Sequence, residues 1–317
     1  MKTYQKINTV YNRYMFLDRK VLPEIPNDKW RQFRNLIILG DFVSPEIEAL
    51  ADVKWDATEK VDGTNTKMAY FPASMKFVPE GKSESAESQD GQYPFVEELG
   101  KNALEAAKEL FPYPSDAKFV PQLGPNKRTM YFFPDEPEVE GKYISEIVQE
   151  LHMDMPQVKL VEQPVIIYGE YYGGKVQGGK IGGKYGKNDF RVFDILKDGY
   201  WMSREDVSLV CEKLGLKQVP YLGQMTIREA ERKVIEGFTS AVSEDRDFLA
   251  EGLVMRAPYG ICDRYGNRII VKIKTKDYRE YERVRSQFTD EEFAEFTEWY
   301  NNSEQIRNLR KSFSEKK

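Results

Sequence analysis

Among 317 residues there is one histidine, His152, and only two cysteines, Cys211 and Cys262. With one imidazole, set in a polar neighbourhood, reactions built on histidine pairs, triads or histidine-ligated metals are not expected. Its polar neighbourhood places His152 on the surface. Two thiols give neither a disulfide framework nor a zinc cluster; both are expected to be buried, in a protein from a reducing compartment. No apolar run approaches the ~18 residues of a membrane span. The start, Met1-Lys2-Thr3-Tyr4-Gln5-Lys6, has no apolar signal stretch, so a cytoplasmic protein without a membrane partner is expected. The formal charge of -5 argues against a protein that coats nucleic acid by bulk attraction and leaves room for a local basic groove. What is present is a globular balance, 40% hydrophobic and 31% charged, enough for one large domain and a small appendage.

The apolar segment Leu36-Ile37-Ile38-Leu39 and the turn signals Gly40-Asp41 and Ser44-Pro45 mark an N-terminal lobe. It leads into a strand ending near Lys60, and Lys67 to Tyr70 again reads as strand. Asp62-Gly63 is therefore expected as a turn between two strands, with Lys60 at a strand edge. Residues 80–92 read as an exposed loop. A helix over 96–110 follows from the spacing of Val96, Leu99, Leu104 and Leu110. Residues 112–142, rich in proline and glycine, read as irregular, and 144–151 as a helix. The segment Gly173 to Gly186 carries seven glycines, a density that opposes a helix and implies a mobile loop. Strands are expected over 165–168, 190–195, 253–256 and 268–274, and helices over 204–213 and 227–236. From Asp277 the chain is charged and helical, with Thr289-Asp290-Glu291-Glu292 as a capping box ahead of Phe293, Phe296 and Tyr300.

Two glycine-bearing motifs compete for a phosphate. Gly174 to Lys180 has the spacing of a P-loop, but Ile181 stands where Ser or Thr must hold magnesium, and Gly182-Gly183 cannot open a helix. That segment reads instead as a flexible basic flap able to meet a phosphate backbone, or as a solvated loop. The other motif is Glu59-Lys60-Val61-Asp62-Gly63-Thr64-Asn65. By itself it is a hairpin turn with a surface lysine. It gains weight from four strands that follow in order, each with charge at or beside its end: Val165-Ile166-Ile167-Tyr168-Gly169-Glu170, Phe190-Arg191-Val192-Phe193-Asp194-Ile195, Glu251-Gly252-Leu253-Val254-Met255-Arg256 and Val271-Lys272-Ile273-Lys274.

These five blocks, spanning residues 58 to 276, resemble the covalent nucleotidyltransferase superfamily of ATP-dependent ligases and RNA-capping enzymes. Glu-Lys-x-Asp-Gly-Thr-Asn is similar to RNA ligases of the nick-sealing phage and RNA-editing type; DNA ligases usually carry arginine at the position of Asn65. The resemblance implies an α+β fold: an adenylyltransferase (ATP-grasp-like ligase) domain of antiparallel sheets with flanking helices over 1–276, and a small helical C-terminal segment over 277–317. It implies ATP and Mg2+ as cofactors, with Mn2+ as a substitute, and RNA bearing 5'-phosphate and 3'-hydroxyl ends as the partner of a monomer. The alternatives are a DNA ligase, a GTP-dependent capping guanylyltransferase or an inactive RNA-binding relative.

The resemblance also assigns roles. Lys60 is the nucleophile that takes AMP. A lysine ammonium is no nucleophile, and gathering Lys272 and Lys274 near Lys60 with a bound cation would disfavour its charged form. The same two lysines would neutralise the ATP phosphates. Glu251 is the candidate metal ligand, with Asp62 through water. Glu170 would hold the ribose hydroxyls, Phe193 would stack on adenine with Asp194 in support, and Glu59 would help read the base. Asp62 and Asn65 would orient the phosphate and the 3'-hydroxyl, with Gly63 between them. Gly81-Lys82-Ser83 occupies the place of an arginine block, and Lys82 cannot make arginine's bidentate fork. The residues themselves leave plainer readings open: Phe193 as core, Asp194 and Glu170 as strand-end charges paired with lysines, and Lys272 and Lys274 as one solvated face of a strand. The long spacing from Lys60 to Glu170 points to an insertion within about 112–160. The roughly 40 residues after Asp277 are fewer than the C-terminal domain of nick-sealing relatives.

Overall fold

The computed structural model describes residues 4–14, 25–81, 92–113, 119–123, 129–134, 157–160, 163–176 and 182–308. The fold is mixed α+β and divides into two compact units. One comprises Met1–Tyr4 and Gly63–Gln218, the other Gln5–Asp62 and Val219–Lys317. His152, the helix expected over 144–151 and most of the loop expected over 80–92 lie outside the described residues.

The first unit is built on a sheet in the order Tyr200–Trp201, Asp189–Lys197, Val165–Tyr172, Thr64–Phe71, Lys76–Gly81, with Lys217–Gln218 added parallel to Asp189–Lys197. The pairings along that path are antiparallel. Alternation divides the side chains between two faces. Met68, Tyr70, Val165, Ile167, Val192 and Ile195 bury one face against two helices. Helix Gln92–Leu110 supplies Val96, Ala103 and Ala107 at helical spacing. Gly100 lets it close on the sheet, since a Cβ there would lie 2.7 Å from Phe77 Cβ. Helix Arg204–Leu214 supplies Val207, Val210, Cys211 and Leu214; Ser203 caps its start and Gly215, at φ 65°, its end. Burial pushes the Cys211 thiol up to about 12. Cys262, expected to be buried as well, is exposed in a hairpin loop.

Residues expected to be irregular contain strands instead. Phe119–Leu123, Thr129–Pro134 and Gln157–Leu160 form a three-stranded sheet in that order. Pro121 lies on a strand that is at the edge of this sheet among the described residues, where a missing N–H removes no ladder bond on the open side. The glycine-rich segment also departs from expectation. Its described ends are pinned, with Gly174 N donating to Gly186 O at 2.9 Å and Val176 and Tyr185 buried, and Gly182–Tyr185 forms a 3-10 turn. Residues 177–181, which include part of the P-loop-like string, lie outside the described residues.

The second unit has a five-stranded sheet in the order Asn8–Thr9, Ile270–Lys274, Gly252–Arg256, Trp55–Glu59, Tyr221–Met225. Trp55, Ala57, Leu253, Met255, Val271 and Ile273 make its core, covered by Ile227, Ala230 and Val234 of helix Ile227–Glu236. The helix over Thr275–Arg285 follows directly, and that over Asp290–Asn302 begins at the expected Thr289/Glu292 capping box. Their apolar residues Val284, Phe296 and Tyr300 join Tyr14, Trp30, Phe33 and Leu36 in one cluster, with Phe33 and Phe296 stacked at 4.2 Å. Asp62-Gly63 is not a hairpin turn. Trp55–Glu59 and Thr64–Phe71 belong to different sheets, so the motif is a crossover. No helix among the described residues is long and apolar enough to cross a membrane.

Candidate active site

Lys60 follows the last residue of Trp55–Glu59 and is held there by its backbone N–H, which donates to Gly252 O at 2.9 Å. That bond sets Lys60 beside Glu251, one residue before the strand Gly252–Arg256. The Lys60 ammonium pairs with Glu251 Oε2, and Lys274 Nζ reaches Glu251 Oε1 at 2.6 Å. One carboxylate thus bridges two lysines, all three side chains being 16–30% exposed. The register Gly252↔Lys274 and Val254↔Lys272 puts Lys272 and Lys274 two apart on one face of their strand. The reading of these lysines as a freely solvated face does not hold. Burial, followed by repulsion from Lys274 and Lys60, holds the Lys272 ammonium below the usual lysine range. Lys274 is shifted upward: burial opposes its charge, and the Glu251 hydrogen bond and charge more than offset that. Burial, then the charge of Glu251, raises the Asp62 carboxyl, while Lys60 and Lys274 pull it down. A raised carboxyl beside an amine is suited to taking or holding a proton.

Gly252 makes this arrangement possible. At φ 152°, a Cβ on it would stand 2.0 Å from Ile273 O and 2.9 Å from Lys274 Cα. Gly252→Ala is expected to force the two strands apart, costing about 2 kcal/mol or more and separating Glu251 from Lys274. A thermal melt checks it: the variant should melt several degrees lower than the native protein.

Glu59 is 1% exposed, and its carboxylate accepts from Ser240 Oγ and, at 2.9 Å, from Ala241 N. Its side chain therefore ties the loop around Ser240 to the lysine strand.

The remaining expected residues lie in the first unit, on the sheet face opposite the two helices. Asn65 pairs directly with Glu170 across strands, and Tyr168 with Asp194. Gly63 runs close to the Glu170 strand, since a Cβ on it would meet Tyr171 O at 2.3 Å and Glu170 Cγ at 3.0 Å. Between Tyr168↔Asp194 and Gly169↔Val192 the ladder slips by one residue, leaving Phe193 as the extra residue of a β-bulge. Such a bulge turns two consecutive side chains to one side. Phe193 and Asp194 accordingly both meet Tyr4: the Phe193 ring edge-on at 5.0 Å, the Asp194 carboxylate accepting from the Tyr4 hydroxyl. Asp194 is a buried mid-strand residue bonded to a tyrosine, neither at a strand end nor paired with a lysine by this contact. Phe193 is half-buried beside Ile166, Tyr168, Leu196 and Trp201.

Two residues here escaped sequence reasoning. Tyr4 is 190 positions from Asp194, and no local pattern links them. Lys67 is 2% exposed, on the same face as Asn65 two residues earlier, and pairs with Glu80 at 2.9 Å. A lysine inside an apolar strand was the available signal, since buried lysine needs a partner. Lys82 lies outside the described residues.

Among the described residues no group of three or more His, Cys, Asp or Glu is placed to hold a metal ion. Glu251 and Asp62 offer hard oxygen ligands near one another. Magnesium, which keeps several waters and commonly takes one or two carboxylates plus substrate phosphates, fits such a pair.

A model of the RNA ligase family matches residues 53–274, a span that contains every one of these side chains except Tyr4. Solved structures of a Naegleria gruberi RNA ligase are similar at low identity. The form with pyrophosphate is 17% identical, with a TM-score of 0.40 over 76% of this chain and 55% of that one. A mutant with ATP and Mn is 16% identical, with a TM-score of 0.41 over 76% and 54%. The chain thus spans little more than half the length of these structures. No curated protein matches it.

Proposed function

The chain belongs to the RNA ligase family, and from that premise we propose that it uses ATP to join RNA 3'-hydroxyl and 5'-phosphate ends through an AMP carried on Lys60. The observation that carries this reading is the bridge Lys60–Glu251–Lys274 with Lys272 beside it. Lysine is a nucleophile only as the free amine. Here Lys60 stands among two further cations, with Asp62 close by as a proton acceptor.

In the first step Lys60 Nζ attacks the α-phosphorus of ATP. An N–P bond forms, the bond to pyrophosphate breaks, and the amine loses a proton. Lys272 and Lys274 neutralise the phosphates as charge builds on the departing pyrophosphate. A divalent cation held by Glu251, with Asp62 through water, would supply further charge stabilisation. In the second step a 5'-phosphate oxygen of RNA attacks the same phosphorus, a P–O–P linkage forms and Lys60 is released. In the third, the RNA 3'-oxygen attacks the 5'-phosphorus and expels AMP, with Asp62 and Asn65 orienting the reacting groups. Glu170 is assigned to the ribose hydroxyls and Phe193 to the adenine ring. Tyr4 fixes Phe193 and Asp194 in place. Residues 1–276 are assigned the chemistry, and the helices after Asp277 complete the core around Phe33.

The test is the intact mass of the native protein, first cleared of bound AMP with pyrophosphate and then incubated with magnesium and ATP or GTP. Addition of one AMP with ATP alone is the expected result. A GMP adduct moves the reading to a capping enzyme, and no adduct with either nucleotide removes the covalent mechanism.

A further inference from the structure

We propose that the hairpin tip over residues 259–268 is a stacking platform for single-stranded RNA, with Tyr259 and Tyr265 receiving bases and Arg264 drawing the phosphates; this rests on the RNA-joining reading above. The tip joins the strand that follows Glu251 to the strand that carries Lys272 and Lys274. Tyr259 is 100% exposed, more than any other large apolar side chain among the described residues, and Tyr265 is 73% exposed. Tyr259 also sits at φ 57° and ψ 21°, a left-handed conformation unfavourable for an aromatic residue, and no burial offsets that strain. The ring is therefore displayed without any packing benefit to the fold.

The tip is ordered rather than slack. Asp263 N donates to Asn267 O at 2.8 Å and Gly266 N to Asp263 O at 3.0 Å. The Asp263 carboxylate accepts from the backbone N–H of Tyr265 at 2.9 Å and of Asn267 at 2.8 Å. The Asp263 carboxylate is engaged inside the turn, and the exposed Arg264 is the cation beside the Tyr265 ring. The Arg264 guanidinium lies 4.7 Å from the Tyr265 ring centroid, which leaves one ring face to a second partner. Exposed rings beside arginine are the means by which proteins hold single-stranded nucleic acid without reading its sequence. Five residues of strand separate the tip from the lysine end of the same sheet, about 16 Å, or roughly five phosphates of a stacked strand. RNA engaged at Lys60 therefore extends far enough to reach the tip.

The test is fluorescence anisotropy of a labelled, 5'-phosphorylated single-stranded RNA at fixed salt, run beside the mass assay for AMP. Replacing both rings, Tyr259→Ala with Tyr265→Ala, is expected to weaken RNA binding by about tenfold or more. The paired Tyr→Phe changes should stay within about twofold of native, and all variants should still take AMP. Both side chains are exposed, so neither pair of changes is expected to unfold the protein. Unchanged affinity in the alanine pair overturns the platform and turns attention to a protein partner for these rings. Equal loss in the phenylalanine pair also overturns it, because hydroxyl contacts and not stacking would then carry the binding. A native protein that takes no AMP defeats the ligation reading alone, while the anisotropy still decides the platform.

Discussion

Lys60→Ala is expected to gain no AMP after incubation with magnesium and ATP, a loss of more than about 10^4-fold in adduct formation. The fold should survive. Glu251 keeps Lys274 as its partner at 2.6 Å, and Lys60 is held at its strand end through its backbone, which alanine retains. Lys60→Arg gives the sharper form of the experiment. Its guanidinium can replace the ammonium opposite Glu251, but it cannot lose a proton near neutral pH and so cannot attack phosphorus. This variant should melt close to the native temperature and take no AMP. Intact mass and a thermal melt on the same samples check both halves. An adduct on Lys60→Arg would mean that another amine, with Lys272 foremost because its charge is already disfavoured, is the nucleophile.

Glu251→Gln should lower the rate of AMP transfer by about 10^2- to 10^3-fold, the scale on which one electrostatic group acts in such sites. The amide keeps the shape and loses the charge that bridges Lys60 and Lys274. Three amines then share a half-buried site with only Asp62 and Asp277 left to offset their charge, and the candidate metal loses its main ligand. A stability cost of about 1–2 kcal/mol is expected at neutral pH, reduced from that of a fully buried pair by the partial exposure of the side chains. The pH dependence has a definite sign. Lys274 titrates above its ordinary 10.5 in the folded chain. Its pairing therefore contributes stability that is fully present below that value and is lost as pH rises through the raised one. The stability gap between native and Glu251→Gln should be constant around neutral pH and close only in strong alkali. Denaturant melts across pH test it; a gap that widens with alkali would rule out Lys274 as the partner that matters.

How much of this was readable in advance varies with the range of the interaction. Helix Ile227–Glu236 and the capping box at Thr289 follow from spacing and end chemistry that act within a few residues, and both appear where the pattern places them. The resemblance carried by five motifs in fixed order implied that Lys272 and Lys274 gather near Lys60 and that Glu251 is a metal ligand; it did not give the bridge in which Glu251 pairs with Lys60 and Lys274. The resemblance did not give the bulge at Phe193, which arises from a one-residue mismatch between two strands and leaves no mark in either alone. Nor did it give Tyr4, whose hydroxyl reaches a carboxylate 190 positions away. Proline content made residues 112–142 look irregular, because a missing N–H breaks a central strand and is harmless on an edge.

The sequence by itself determined the chemical inventory: one histidine, a lysine two residues before Asp62-Gly63, a Glu251-Gly252 pair, and Lys272 and Lys274 two positions apart. Those are properties of residue type and short spacing, which no folding changes. Only the tertiary structure decided which charges meet. Glu251 bridges Lys60 and Lys274, Glu59 is consumed by Ser240 and Ala241, Lys67 is buried against Glu80, and Cys262 is exposed while Cys211 is not. Strand register and long-range pairing fix these contacts, and a one-residue slip would send every side chain to the other face.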